Sequence, residues 1–330
     1  MRFFLIVIFL IIQLSSFPQS NYDANFKKTV SIIEKNYIGY QYISNGKLDY
    51  YNYFKTNLRD THLNTISDLA KNIKLYMDFF EDRHLYLTIS DFYKNAPIAT
   101  DTFKCASIDT HTYYLKIPDF DNQAALDSLL NCAIERDSML HFENLVIDLR
   151  RNGGGKNLFY RRLLPLIATN DMYTRRYELL ATKENWASHQ TRNKMGTLTE
   201  KEENKIIDAP WQKSHHNFIT EYSPSGVNQY PKRVAVLVDR NTGSSAEKFV
   251  LCAKQSFKVK IFGENTAGAV DFGDVCVNEI IKDSLYIVYP TTNVYDYKIN
   301  GVDSRGIAPD FYLQPENQIE QILNYFEYWN

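Results

Sequence analysis

Arg233-Val-Ala-Val-Leu-Val-Asp239-Arg-Asn-Thr-Gly243-Ser244-Ser245-Ala-Glu247-Lys248-Phe249 is the stretch that decides the fold. A run of β-branched and small apolar residues ends at Asp239. The turn formers Asn241, Thr242 and Gly243 follow, and then a segment with helical spacing carries Phe249, Val250, Cys252 and Ala253. This pattern predicts a buried strand, a tight turn and a helix start. The turn delivers a serine to the first helical turn, where unpaired N–H groups and the helix dipole favour developing negative charge. A serine there either caps the helix or attacks a substrate. Taken alone, this stretch is explained by the cap.

A second stretch repeats the plan. Leu145-Val-Ile-Asp148-Leu-Arg150 reads as a buried strand. It runs into Arg151-Asn152-Gly153-Gly154-Gly155, and a helical pattern follows with Leu158, Leu163, Leu164 and Ile167. Strand, turn and helix recurring in this way predict an α/β fold with a mainly parallel sheet. Further strands are expected at Tyr113–Phe120, ending at Pro118, and at Val259–Gly263, 275–281 and 285–289. Helices are expected over Ala124–Ser138 and Glu316–Tyr328. Residues 21–95 read as a separate, mainly helical region. Phe26, Val30, Ile33 and Tyr37 form one face, and Leu69, Ile73, Tyr76, Met77 and Phe80 form another. His84 falls at a helix-to-strand junction. Residues 96–330 form the core, interrupted over 170–230 by a polar insertion with Trp186, Trp211 and His215-His216, read as either a lid or a surface excursion.

The 330 residues are 44% hydrophobic and 23% charged, enough for a large core, and the net charge of −2 gives no support to a nucleic-acid partner. At the N-terminus a short cationic start precedes the apolar Phe3–Ile12 and a small polar end at Ser20. That is the pattern of a signal peptide over residues 1–20, with an uncleaved anchor as the alternative. Export to the periplasm or medium is therefore expected, with no membrane association beyond that segment. The four cysteines permit two disulfides in three connectivities, and Cys252 and Cys276 fit buried free thiols equally well. None has the spacing of a cysteine-based zinc site.

The three glycines after a strand can present bare N–H groups to an anion. A phosphate loop is excluded, because Arg150 stands where its first glycine belongs and Asn157 follows Lys156. An oxyanion hole or a tight turn remains. Ser245-Ala-Glu-Lys248 also spells a serine and a lysine one helical turn apart. Arg150, Arg151, Arg161 and Arg162 are candidates for a substrate carboxylate or for internal ion pairs.

Four motifs in order carry a family resemblance: Leu145–Gly155; Val238-Asp239 with Thr242–Glu247; Gly263-Glu-Asn-Thr-Ala-Gly268; and Gly306-Ile-Ala-Pro-Asp310. Together they resemble the C-terminal processing (tail-specific) serine peptidases, which include the tricorn core and the repeats of interphotoreceptor retinoid-binding protein. The resemblance implies a ClpP/crotonase-like core, a peptide or protein substrate and no cofactor. It implies Ser244 as nucleophile, with the N–H groups of Ser245 and Gly153 or Gly154 as the oxyanion hole. The lysine of the Ser-Lys branch is replaced by Ala269. Asp82-Arg83-His84 is similar to the D-G-H signature of the tricorn-like branch, which implies His84 as base and Asp303 as its orienting acid. This chain has Asp303 where Glu is commoner, and Arg83 where the tricorn-like site has serine. No room remains between Ile89 and Tyr113 for the PDZ domain of many relatives. The alternatives are a non-catalytic binding protein on this fold, or a Ser-Lys hydrolase using Lys248.

Overall fold

A computed structural model describes residues 21–44, 46–89, 101–193, 211–212, 218–294 and 300–329. The expected signal segment and the His215-His216 pair lie outside these residues. In chain order the main elements begin with α1 (Tyr22–Asn36), α2 (Leu48–Asp60), α3 (Ile66–Asp78), β1 (Tyr86–Ile89), β2 (Lys104–Ser107), β3 (Thr112–Lys116), α4 (Gln123–Asn131) and β4 (Asn144–Asp148). They continue with β5 (Met172–Arg175), β6 (Tyr177–Leu180), α5 (Lys183–Asn193), β7 (Trp211–Gln212), β8 (Phe218–Tyr222), β9 (Arg233–Val238), α6 (Ser245–Ala253) and β10 (Val259–Gly263). Last come β11 (Phe272–Ile281), β12 (Leu285–Val294), β13 (Phe311–Tyr312) and α7 (Gln318–Tyr328). Among the described residues no helix is long and apolar enough to cross a membrane.

The chain divides into two compact units. The second, residues 97–176, 214–271 and 294–330, is built on a six-stranded sheet in the order β13-β10-β9-β4-β3-β2. Its strands are parallel from β13 to β3, and β2 adds antiparallel at the edge. The register sets Leu145 opposite Tyr113 and Val234, and Val234 opposite Val259. Both faces are covered, so the strands read as unbroken apolar runs and not as alternations. Val146, Ala235, Leu237 and Phe262 meet Ile322 and Phe326 of α7 on one face. On the other, Leu145, Ile147, Val234 and Val236 meet Leu126 and Leu129 of α4 and Phe249 and Val250 of α6. Each such side chain contributes about 1.5–3 kcal/mol on leaving water.

The first unit gathers residues 1–96, 177–213 and 272–293. Its helices fulfil the expected faces: Phe26, Val30 and Ile33 of α1 pack with Leu69, Ile73, Tyr76 and Met77 of α3. Thr65 and Asp68 form a capping box that starts α3. The unit also holds a five-stranded sheet of β1, β12, β6, β7 and β11, against which the helices pack through Cys276, Ile280, Leu285, Ile287 and Tyr289. The boundaries drawn from sequence therefore differ from the structure. A helical pattern over 21–95 gives no sign that β1 pairs with β12, two hundred residues on. Residues 170–230 are shared between the units and contain β5, β6, α5 and β8.

Two further boundaries differ. The helix expected over 124–138 ends as an α-helix at Asn131 and widens into a π-turn over Cys132–Arg136, before Ser138 adopts φ 53°. The expected helix after the glycines is three short turns, Asn157–Tyr160, Arg161–Leu163 and Leu164–Ile167, the last admitting Pro165 in its first turn.

Candidate active site

Ser244 sits between β9 and α6 with φ 54° and ψ −120°. That conformation is costly for a residue with a Cβ and persists only where surroundings impose it. Strand-to-helix turns of this kind push a nucleophile's hydroxyl out of the backbone. The surroundings here are specific. Thr242 Oγ1 donates to Leu149 O at 2.9 Å, and the Gly243 N–H donates to Asn152 O at 2.9 Å. The turn is thereby tied to the residues that follow β4.

Asn152, fully buried, is the hub of the glycine turn. Its Nδ2 donates to Ile117 O at 3.0 Å, and its Oδ1 accepts the Gly154 N–H at 2.9 Å. Phe120 clamps the turn from the other side: its N–H donates to Gly154 O, and its carbonyl accepts the Lys156 N–H. Gly154 has φ 104°, and a Cβ placed there would stand 2.7 Å from Ser244 Cβ and 2.8 Å from Ser245 N. The structure thus brings Gly153, Gly154, Ser244 and Ser245 together. Among the described residues, the N–H groups of Gly153 and Ser245 make no hydrogen bond. Gly154→Ala is expected to displace Ser244 and to cost about 1–3 kcal/mol of stability, because the new Cβ meets backbone atoms, and a urea unfolding curve checks this.

Ser245 is buried and differently engaged. Its Oγ lies 2.5 Å from Gly155 O and 2.8 Å from Asn157 Oδ1, which commits the hydroxyl to the turn. Lys248 follows one helical turn after Ser244, with its N–H on Ser244 O.

Glu247, fully buried on α6, is a residue whose role the sequence reading left unassigned. Its Oε1 accepts from Thr266 Oγ1 at 2.5 Å and from the Gly268 N–H at 2.8 Å. Its Oε2 accepts from the Ala269 N–H at 2.8 Å and from the Ser244 N–H at 3.0 Å. Burial pushes its carboxyl above the usual carboxylate range, against the pull of these donors. One side chain therefore fixes the Ser244 backbone and the loop after β10 at once. Gly306, at φ 72°, lets the chain approach that loop, where Ile307 N donates to Thr266 Oγ1 at 2.7 Å.

Asp303 lies on the same loop system, partly buried. Its Oδ1 accepts the N–H groups of Val270 at 2.7 Å and Asp271 at 2.8 Å. Asp271 reciprocates: its Oδ2 accepts from Asp303 N at 2.7 Å and from Val302 N, and Arg175 Nη1 donates to its Oδ1 at 2.6 Å. Asp303 is thus connected to Ser244 through Val270, Ala269 and Glu247. His84 belongs to the first unit, at the start of the segment leading into β1. Buried Asp82 orders it, accepting the His84 N–H on Oδ1 at 2.8 Å and the Tyr37 hydroxyl on Oδ2 at 2.9 Å. Arg83 is exposed, and Ala269 is buried.

The arginines near the glycine turn are largely spoken for. Arg150 pairs with Asp148 at 2.6 Å, Arg161 with Glu221 at 2.5 Å, and Arg162 with Asp127. Asp148 is desolvated, which raises its pKa, yet Arg150, Lys116 and Tyr114 hold it below the ordinary value.

Comparison with known proteins places this geometry. The model of peptidase family S41 matches residues 111–313. A nisin-resistance protein from Lactococcus lactis subsp. lactis is 30% identical over 171 residues, 49% of this chain and 45% of that protein. The chain thus spans about half the length of this relative. Two solved structures share the fold. A putative peptidase from Parabacteroides merdae ATCC 43184 has TM-score 0.61 and 18% identity, covering 93% of this chain and 96% of that one. A lipoprotein from Streptococcus agalactiae has TM-score 0.59 and 13% identity, covering 96% and 99%. The parallel sheet, the ordered motifs around Ser244 and the match over 111–313 lead to one conclusion: the chain belongs to peptidase family S41.

Proposed function

We propose that the chain is a serine peptidase that hydrolyses peptide bonds through Ser244, His84 and Asp303. The observation that carries the reading is Ser244 at positive φ, pressed against the Gly153-Gly154 turn beside the Ser245 N–H. Ser244 Oγ attacks the scissile carbonyl while His84 takes its proton. The carbonyl oxygen becomes an oxyanion, stabilised by the N–H groups of Gly153 and Ser245. The Gly154 N–H is held by Asn152, so Gly154 serves by letting the backbone come close. The protonated His84 then passes its proton to the leaving amine, and water, deprotonated by His84, releases the acyl group from Ser244. Asp303 orients the imidazole and stabilises its charged form. The motif resemblance is what assigns His84 and Asp303 these roles. The apolar run at the N-terminus supports export, to the periplasm or the medium.

A Ser-Lys site using Lys248 is less well supported, because the serine of that string is Ser245, whose hydroxyl is held by the glycine turn. The test is the rate of fluorophosphonate labelling as a function of pH. Wild type is expected to label with a rise through roughly pH 6–7, the histidine range. His84→Ala is expected to lose that rise and slow by about 100-fold or more, while Lys248→Ala labels within about threefold of wild type. Labelling that survives His84→Ala and disappears in Lys248→Ala overturns the assignment.

A further inference from the structure

We propose that Cys105 and Cys132 form a redox modification site and oxidise to a disulfide within the second unit. Cys105 lies on the edge strand β2, and Cys132 follows α4 where the helix widens. Their sulfurs stand 3.2 Å apart, and both residues are partly exposed, so an oxidant can reach them. A disulfide needs about 2.05 Å between sulfurs, so a closure of about 1.2 Å suffices, within the reach of small side-chain rotations.

The same cluster includes the Asp137 carboxylate, and these three groups are close enough to suggest a metal ion. The geometry points away from one. A structural zinc takes four protein ligands, and this cluster offers three. Of these Asp137 is committed: Tyr113 donates its hydroxyl to Oδ2 at 2.6 Å, and Arg136 Nε donates to Oδ1 at 2.7 Å. The other two cysteines are buried. Burial pushes the Cys252 thiol up to about 12, which leaves it almost without thiolate for exchange.

The step balances as thiol–disulfide exchange. One thiolate of the pair attacks a sulfur of a small disulfide such as oxidised glutathione, forming a mixed disulfide and releasing one glutathione thiolate. The second thiolate attacks the protein sulfur of that mixed disulfide and releases the other. Two protein thiols lose two electrons and two protons, and one glutathione disulfide gains them. The bond closes a loop spanning 27 positions that contains β3, α4 and Phe120, whose backbone clamps Gly154 and Lys156. Oxidation therefore staples the edge of the sheet to the helix beside the glycine turn.

The experiment uses the full chain, reduced and then incubated with oxidised glutathione at about pH 9, because the hydrogen bond with Cys105 pushes the Cys132 thiol above its ordinary value. Thiol titration in denaturant is expected to fall from the four thiols of the sequence to two, and peptide mapping to show Cys105 linked to Cys132. The melting midpoint is expected to rise by roughly 5 °C over the reduced protein, as for closure of a loop of this size. Cys132→Ser is expected to lack both the crosslink and the rise. Retention of all four thiols overturns the proposal, as does glutathione accumulating on Cys105 with no crosslink. So does one equivalent of zinc bound by the reduced protein and lost in Cys105→Ser.

Discussion

Ser244→Ala is expected to lower kcat toward a peptide substrate by about 10⁵–10⁶, down to the residual rate that the oxyanion donors provide on their own. The size follows from removing the only atom that forms a bond to the substrate. The fold is expected to survive. Ser244 holds the site chiefly through its backbone, by its N–H to Glu247 and its strained φ, while its hydroxyl shares the capping box that starts α6, so alanine costs about 1 kcal/mol of stability. Alanine at that φ carries the same strain. Ser245→Ala is the contrasting variant. It keeps the N–H and loses the hydroxyl that holds Gly155 O, so it is expected to cost about 1–2 kcal/mol of stability and a lesser part of the rate. Parallel kinetics and urea unfolding of the two variants separate nucleophile from neighbour. Equal losses of rate would contradict the division between them.

The second large effect belongs to Glu247. Replacing it with Leu removes the acceptor for Thr266 Oγ1 and for the N–H groups of Gly268, Ala269 and Ser244 in a fully buried place. Each stranded donor costs about 1–3 kcal/mol, so the loss is expected to exceed about 4 kcal/mol, read from urea unfolding. Glu247→Gln preserves the shape, costs less, and changes the pH response. Burial raises the Glu247 pKa in the folded chain, so the folded state holds this proton more tightly than the unfolded one. The contribution of this group to stability is then greatest at low pH. It declines as pH rises from the ordinary carboxylate value of about 4.3 through the raised folded value. Glu247→Gln is expected to flatten that decline in the melting temperature. An unchanged slope would mean that other groups set it.

The second unit is legible because its signals are local. Val234–Val238 and Leu145–Ile147 read as buried parallel strands because each is apolar on both faces, and each ends in a turn whose residues demand it. The first unit is harder. Its helices follow from the spacing of Phe26, Val30 and Ile33, but β1, β6 and β12 come from three distant stretches and find one another only in three dimensions. Pairing across such separations leaves no trace in a local pattern. At the site, the glycines and serines carried a legible role, whereas Asn152 and Glu247, which hold them, stood inside the same motifs with no role assigned. Asn152 looks like an ordinary turn former, and Glu247 like a surface acid in the first turn of a helix. Burial changes both. A signal was present for each, since a buried turn needs an internal acceptor for Gly154, and a strained serine needs one for its N–H. Asp303 also has more to do than the resemblance implies, pinning Val270 and Asp271 through one carboxylate oxygen.

The most direct test of the account is the site of covalent modification. The wild-type protein, labelled with a fluorophosphonate at neutral pH and digested, is predicted to carry a single adduct on Ser244 in the peptide spanning Asp239–Lys248. The adduct should be absent from Ser244→Ala and retained in Ser245→Ala. An adduct on Ser245, or no adduct on folded wild-type protein, would contradict it.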